Sequence, residues 1–436
     1  MTVINIELNE LNFDYVKRYV DSGELPGFAK LLGELVLRET TAEGAYSHLE
    51  PWIQWPTVYT GLTYAEHKVF RLGDSVEHSH HQIFELVEKD TGQPVVAVSP
   101  MNAVNRVSDK SVFIPDPWTN TDVTAPPSCR NLFGIVKRLV NENTHGLALR
   151  PSDIVMLPIC MLPNLRFATV TPIVKMILKA ATKKWARPLV LDLILASVFI
   201  SQTKKKSPRY ASLFLNAGAH IQHHYLFSSA QYTGESKNPA WFVDDSDDPV
   251  LEVYKVYDNI VQKLFAEFPE ATIFISTGLS QRPNLKTVHY YRPKNHKGLV
   301  GAIVKSNPVV SVDERMSRDF LVTCPDEQAG REVAAELEGV QLSNGESLLR
   351  VDLRGASIFC QVAYHGPPDD RLQVKLSEGS IFFAEYFSHV TIENGIHQTE
   401  GYILRSDRRS GMTAVSSIPL QEVFSELREA CVSTST

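Results

Sequence analysis

Four short polar segments carry the side chains whose types and spacing could do chemistry. The first is Glu7-Leu8-Asn9-Glu10-Leu11-Asn12. Its alternating oxygen donors suit a metal or polar ligand, and equally suit helix capping by Asn9 or Asn12. In the second, His48 to Gly61, Trp52 and Trp55 flank Gln54 behind Glu50. A helix should open here, and its electropositive end would suit an anionic group. The competing reading is aromatic core with Glu50 as a capping acid. The third, Leu213 to His224, runs from an apolar stretch into His220, His223 and His224. Imidazole is the commonest metal ligand and an acid/base group near neutral pH. In a helix, His220 and His224 share a face. The fourth places His397 just before a strand-like run, Gly401 to Leu404.

These segments should be positioned by an α/β core. Val3 to Leu8, Val95 to Val98, Val112 to Ile114, Tyr210 to Leu215 and Ala271 to Ser276 read as short buried strands between helical stretches. Strands alternating with helices imply a largely parallel central sheet between helices. In such sheets ligands gather beyond the carboxyl ends of the strands, so the four segments, with Thr277 after TIFIS, are expected to meet. The pattern divides into a first core part (1–130), a Leu/Ile/Ala/Lys-rich helical insertion or cap (131–208) and a second core part (209–312). A small α+β subdomain (313–392) and a return to the core with a C-terminal helix (393–436) follow. Ser99 to Ala103 and Pro115 to Trp118 read as turns, and His78, His80 and His81 as a solvent-facing loop.

Taken in order, INIELNEL, LPGFAKLL, EPWIQWPTVYTGL, LFLNAGAHIQHHYL, TIFISTGLS and IHQTEGYIL resemble the alkaline phosphatase superfamily. The nearest branch is the type I phosphodiesterase/nucleotide pyrophosphatase one. The resemblance spans residues 1–120, 210–285 and 395–405. It implies an alkaline-phosphatase-like core and a site built for two metals. Several positions depart from the family pattern. Asn9 stands where the first metal-binding Asp belongs, and the nucleophile position falls near Pro51, beside Glu50. Asn216 replaces the Asp of Asp-x-x-x-His, and Thr277-Gly278 replaces an Asp-His pair. His220 and His397 remain. The implied metal set is therefore Asn216, His220 and His397, for one zinc or manganese ion or none, because an Asn carbonyl is a weak ligand. Thr57 and Thr60 are the nearest hydroxyls.

The function so implied is a divergent phosphodiesterase or phosphotransferase, a hydrolase or transferase acting with one metal or none. Its substrate would be a small phosphorylated or glycan-type molecule. Glu50, Gln54, His223 and His224 would be catalytic. Glu7, Asn9, Glu10, Asn12, Trp52, Trp55 and Thr277 would line the substrate. The alternatives are a non-catalytic descendant that binds an anionic ligand or a protein partner, and a generic α/β protein.

Composition narrows the partners. Of 436 residues, 43 are Lys or Arg and 50 Asp or Glu, a net charge of −7, which argues against nucleic acid as a partner. Five widely spaced cysteines without a CxxC pair argue against a disulfide framework or a thiolate zinc site. The run Pro188 to Ile200 contains Asp192 and is too short to span a bilayer; it reads as a buried helix, although the lysines around it could let it graze a membrane face. Met1 to Leu8 has no basic n-region, so a cytoplasmic address is expected. Oligomeric state is unreadable from the sequence.

Overall fold

Residues 1–45, 48–141, 150–164, 167–306, 308–314, 318–377, 379–409 and 417–433 are described by the computed structural model. An eight-stranded sheet carries the larger part of the chain. Its strands are β1 (Val3–Leu8), β2 (Leu35–Thr41), β3 (Val95–Val98), β4 (Val112–Ile114), β5 (Tyr210–Leu215), β6 (Thr272–Ser276), β7 (Glu400–Arg409) and β8 (Ser417–Pro419). They lie in the order β8-β2-β7-β6-β1-β5-β3-β4. Only β7 runs against its neighbours, β2 and β6; the other neighbours are parallel. The expected α/β class with a mostly parallel sheet is thus present.

Helices occupy the connections: α1 (Phe13–Asp21), α2 (Pro26–Glu34), α3 (Pro51–Thr60), α4 (Ile83–Thr91), α5 (Pro127–Asn141), α6 (Pro151–Met161), α7 (Phe167–Thr182), α8 (Arg187–Lys206), α9 (Ala217–Tyr225), α10 (Pro249–Glu267) and α11 (Glu422–Ser433). All six residues of β1 and of β5 are buried. Side chains alternate across a strand, so β1 feeds two cores. Ile4, Ile6 and Leu8 enter one, beneath α8 and α10. Val3 enters the other, with Trp55, Tyr59, Phe84 and Phe214.

The same alternation places Glu7 in the second core, fully buried. Its carboxyl accepts from Tyr59 Oη at 2.7 Å and Asn5 Nδ2 at 3.0 Å. Burial pushes this acid up to about 8, and those two hydrogen bonds only partly offset it. Glu7 is a core residue, not the substrate contact the sequence suggested. A native value above the unfolded one means stability is full below about pH 4.5 and falls as pH rises towards 8. Glu7→Gln should flatten that decline. A stability gain of about 2–4 kcal/mol at pH 9 over the parent is expected, and denaturant melts from pH 5 to 9 would measure it.

The chain divides into two compact units, Met1–Pro283 with Gly395–Thr436, and Asn284–Asn394. The second carries a four-stranded and a three-stranded sheet and the helix Glu327–Glu338. It starts at Asn284 rather than at 313. The reason is that Tyr291, Leu299 and Val300 pack with Phe320, Val333 and Leu337 in a core of its own.

Candidate functional site

β1 ends at Leu8, and the chain then turns sharply through Glu10, whose φ is 58°. A non-glycine residue in the left-handed region is disfavoured by about 1–2 kcal/mol and persists only where its surroundings fix it. Here the Glu10 N–H donates to Thr277 O at 3.1 Å, and its carbonyl accepts from Gln222 Nε2 at 2.8 Å. Asn12 then caps α1, accepting from Asp14 N at 2.7 Å and Tyr15 N at 3.3 Å. The clamp aims the Glu10 carboxylate, 2% exposed, at the ends of β5 and β7.

Two imidazoles meet that carboxylate. His223 lies on α9, which leaves β5 after the single residue Asn216. His397 sits just before β7. Glu10 Oε2 is 3.1 Å from His223 Nε2 and 3.0 Å from His397 Nε2, and the two Nε2 atoms are 3.2 Å apart. The far nitrogens are held as well. His223 Nδ1 lies 3.0 Å from Gly395 O, which can only accept, so Nδ1 bears the proton. His397 Nδ1 faces Glu50 Oε2 at 3.5 Å. Gln281 Nε2 also donates to Glu10 Oε2, and Asn9 Nδ2 donates to Oε1 at 3.0 Å.

Burial alone would raise Glu10, but the charges and hydrogen bonds of His397 and His223 outweigh it and hold the carboxylate well below its usual range. Burial disfavours a charged His397, yet Glu10 first, then Glu50, lift it to about 9. The three convergent atoms also fit one divalent ion. Ligand atoms about 2.0–2.1 Å from a common ion stand roughly 3.0–3.4 Å apart. Histidines bound to metal commonly give their other N–H to a carbonyl or carboxylate, as His223 does to Gly395 O, while His397 Nδ1 faces the Glu50 carboxylate as an ion pair. Among the described residues, this is the only set of three His, Cys, Asp or Glu side chains whose ligand atoms all lie within 4.8 Å of one another.

The structure redistributes several sequence assignments. Asn216 Oδ1 accepts from Asn9 Nδ2 at 2.8 Å, and His220 is exposed, its ring 4.8 Å from His224. Of the implied set Asn216, His220 and His397, only His397 belongs to the cluster; Glu10 and His223 complete it. The phase of α9 separates the two: His220 and His223 stand three residues apart, short of a full turn, and it is His223 that faces Glu10 while His220 is left exposed. His224 is half-buried beside His223, at 6.0 Å between rings. Glu50 stands at the N-cap position of α3 without a side-chain capping bond and stays partly exposed at the cluster's edge.

Others prove structural. Gln54 is fully buried, donating to His48 O at 2.7 Å and accepting from Glu43 N at 3.3 Å, so it braces the start of α3 rather than acting in catalysis. Trp52 donates to Phe70 O at 3.2 Å. Trp55 is buried and donates to Asn9 Oδ1 at 2.7 Å, which orients Asn9 towards Glu10. Gly278, at φ 72°, lies under that indole, where a Cβ would sit 3.2 Å from the ring. Thr277 Oγ1 accepts from Tyr402 N at 2.8 Å in the core. Thr57 and Thr60 are tied to His67 and to Pro56 O.

Sequence reasoning missed Gln222, Gln281 and Asp192 as supports. Asp192, on α8, accepts from Ala217 N at 2.8 Å and Tyr257 Oη at 2.7 Å, and so fixes the first turn of α9. A lone acid inside an apolar helix was the available signal, because a buried carboxyl needs partners.

No protein-family model matches the chain, and no curated protein does. Comparison with solved structures finds similarity along almost the whole chain. Phosphonoacetate hydrolase from Sinorhizobium meliloti 1021, in complex with phosphonoformate, is 11% identical with a TM-score of 0.44, covering 99% of this chain and 96% of that one. Murine ectonucleotide pyrophosphatase/phosphodiesterase 5 is 8% identical with a TM-score of 0.42, covering 99% and 95%. The human form is 9% identical, also at 0.42, with the same coverage.

Proposed function

We propose that this chain is a divergent enzyme acting on phosphoester-type substrates, with Glu10, His223 and His397 holding one divalent ion. The observation that carries the reading is the convergence of three ligand atoms at 3.0–3.2 Å, with the far nitrogen of His223 held by Gly395 O and that of His397 facing Glu50. Two nitrogens and one carboxylate oxygen favour zinc. An ion held there supplies Lewis-acid polarisation of a phosphoryl oxygen.

The chain's own residues set the rest. Pro51, at the position the resemblance gives to the nucleophile, has no hydroxyl, and Thr57 is buried. The reading is therefore direct attack by water without a phosphoryl-enzyme intermediate. Glu50, the partly exposed carboxylate at the cluster's edge, is the residue we assign to take the water's proton. Gln281 and Asn9 keep the Glu10 carboxylate in one orientation.

The test is titration of chelator-treated full-length chain with zinc and with manganese, followed by turnover of a phosphodiester such as bis-p-nitrophenyl phosphate. One ion per chain, retained in His220→Ala, and turnover without a labelled phosphoryl-enzyme are expected. Failure of the parent chain to bind either ion would sink the metal reading. Binding without turnover of any phosphoester would leave the non-catalytic descendant.

A further inference from the structure

Helices α6 and α7 are apolar on both sides. Cys160 on α6, and Ile173 and Met176 on α7, are buried against the core. The opposite side should be polar in a globular protein. Instead Val155 and Ile159 on α6, continued by Leu162 in the turn just after it, are exposed at i, i+4 and i+7, and Val174, Ile177 and Leu178 on α7 form a second stripe. These six are 47–74% exposed, and they are six of the sixteen large exposed hydrophobic residues among the described ones. Scattered exposed apolar groups are ordinary, but stripes on two consecutive helices are not.

Charge distinguishes the same segment. Residues 150–206 hold ten Lys or Arg and two Asp or Glu, a net of +8 in a chain whose total is −7. Some of these cations are already paired: Lys179 with Glu252, Lys183 with Asp244 and Asp247, and Lys204 with Glu267. Lys175, Lys184 and Arg187 are exposed and face no acid among the described residues. Apolar stripes flanked by unpaired cations are the pattern of a helix lying in the interface of an anionic bilayer. Neither helix spans one. At about 1.5 Å per residue, α6 and α7 fall short of the roughly 30 Å hydrocarbon core. The longer helix, Lys184–Lys206, has 61% of its most apolar stretch buried inside the protein.

We propose that the outer face of α6 and α7 docks the protein on an anionic lipid membrane, with Leu162, Ile177 and Leu178 entering the acyl boundary and Lys175, Lys184 and Arg187 at the headgroups. This is independent of the metal centre. It makes a membrane-borne substrate accessible without a spanning segment.

Full-length protein should be co-sedimented with phosphatidylcholine vesicles, with and without phosphatidylglycerol. Binding only to vesicles containing phosphatidylglycerol, weakening as salt rises, is the expected result. Leu162→Asp with Leu178→Asp should lower the partition coefficient about tenfold or more. Lys175→Glu with Lys184→Glu should do so chiefly at low salt. Leu285→Asp, an exposed position in the second unit, should leave binding unchanged. Circular dichroism checks that each variant is folded. The proposal is overturned if the parent ignores anionic vesicles at low salt, or if folded aspartate and glutamate variants bind as the parent does. It is equally overturned if the patch mediates self-association in sedimentation velocity with no vesicle binding.

Discussion

Glu10→Ala should lose divalent-metal binding by about a thousandfold, since removing a partner of a ligand already costs 10–100-fold and this removes the only anionic ligand. It should also lower stability by about 3–5 kcal/mol, the usual cost of breaking one side of a buried ionic pair. The loss falls on His397, His223, Gln281 and Asn9, which together surround this one carboxylate. Alanine keeps the backbone strain at φ 58°, whereas glycine relieves it. Glu10→Gly should therefore bind metal as poorly as Glu10→Ala yet recover about 1 kcal/mol. Calorimetric zinc titration and urea melts of both variants separate the two contributions. Metal affinity near the parent's in either variant would remove Glu10 from the site.

Asp192→Ala is expected to be nearly as damaging, although Asp192 touches none of the three clustered side chains. It leaves the Ala217 N–H, the more distant Asn216 N–H and the Tyr257 hydroxyl without their buried acceptor. Each orphaned buried group costs about 1–3 kcal/mol, so a loss of about 3–4 kcal/mol follows. Tyr257 Oη also receives the Gly218 N–H, so the first turn of α9 loosens and His223 moves with it. Zinc affinity should fall about 10–100-fold, and Asp192→Asn, which retains an acceptor, should restore most of both. Burial lifts Asp192 to about 6, with Tyr257, Ala217 and Asn216 opposing the rise. Its contribution to stability is therefore full below about pH 3.8 and declines as pH climbs through 6. Equal damage from Asp192→Asn would mean that charge, not hydrogen bonding, holds the turn.

The frame of the molecule was readable because its strands are short, apolar and bounded by polar turns. β1, β3, β5 and β6 each showed as a buried run, and the polar segments after β1 and β5 do meet at one end of the sheet. Which side chain of each segment points inward was not readable. That depends on a strand's parity and a helix's phase. Glu7 is three positions from Glu10 and lies in the opposite environment, because it is still in the strand while Glu10 is beyond it in a left-handed turn. His220 and His223 are separated by less than one helical turn, and the phase of α9 decides between them. Matching to a family motif favoured His220 for its spacing from Asn216, but spacing along the chain carries no information about that phase. The supporting glutamines were hidden for another reason. Their importance comes from what packs around them, and a glutamine in a strand or a helix is ordinary.

The antiparallel strand β7 lies inside the sheet, between β2 and β6, yet comes late in the chain. During synthesis, the carboxylate of Glu10 leaves the ribosome long before His397, the later of the two histidines that pair with it. Until β7 inserts, β2 and β6 each present an open hydrogen-bonding edge, the kind of surface that recruits other chains. Such a long-range closure is slow, because the intervening loop entropy is lost before the pairing compensates. Such an interval, with strand edges unpaired, is the kind in which chains are prone to aggregate. His397 lies three residues before the strand that ends the exposure, so the last ligand of the site arrives in the chain together with the strand that seals the sheet.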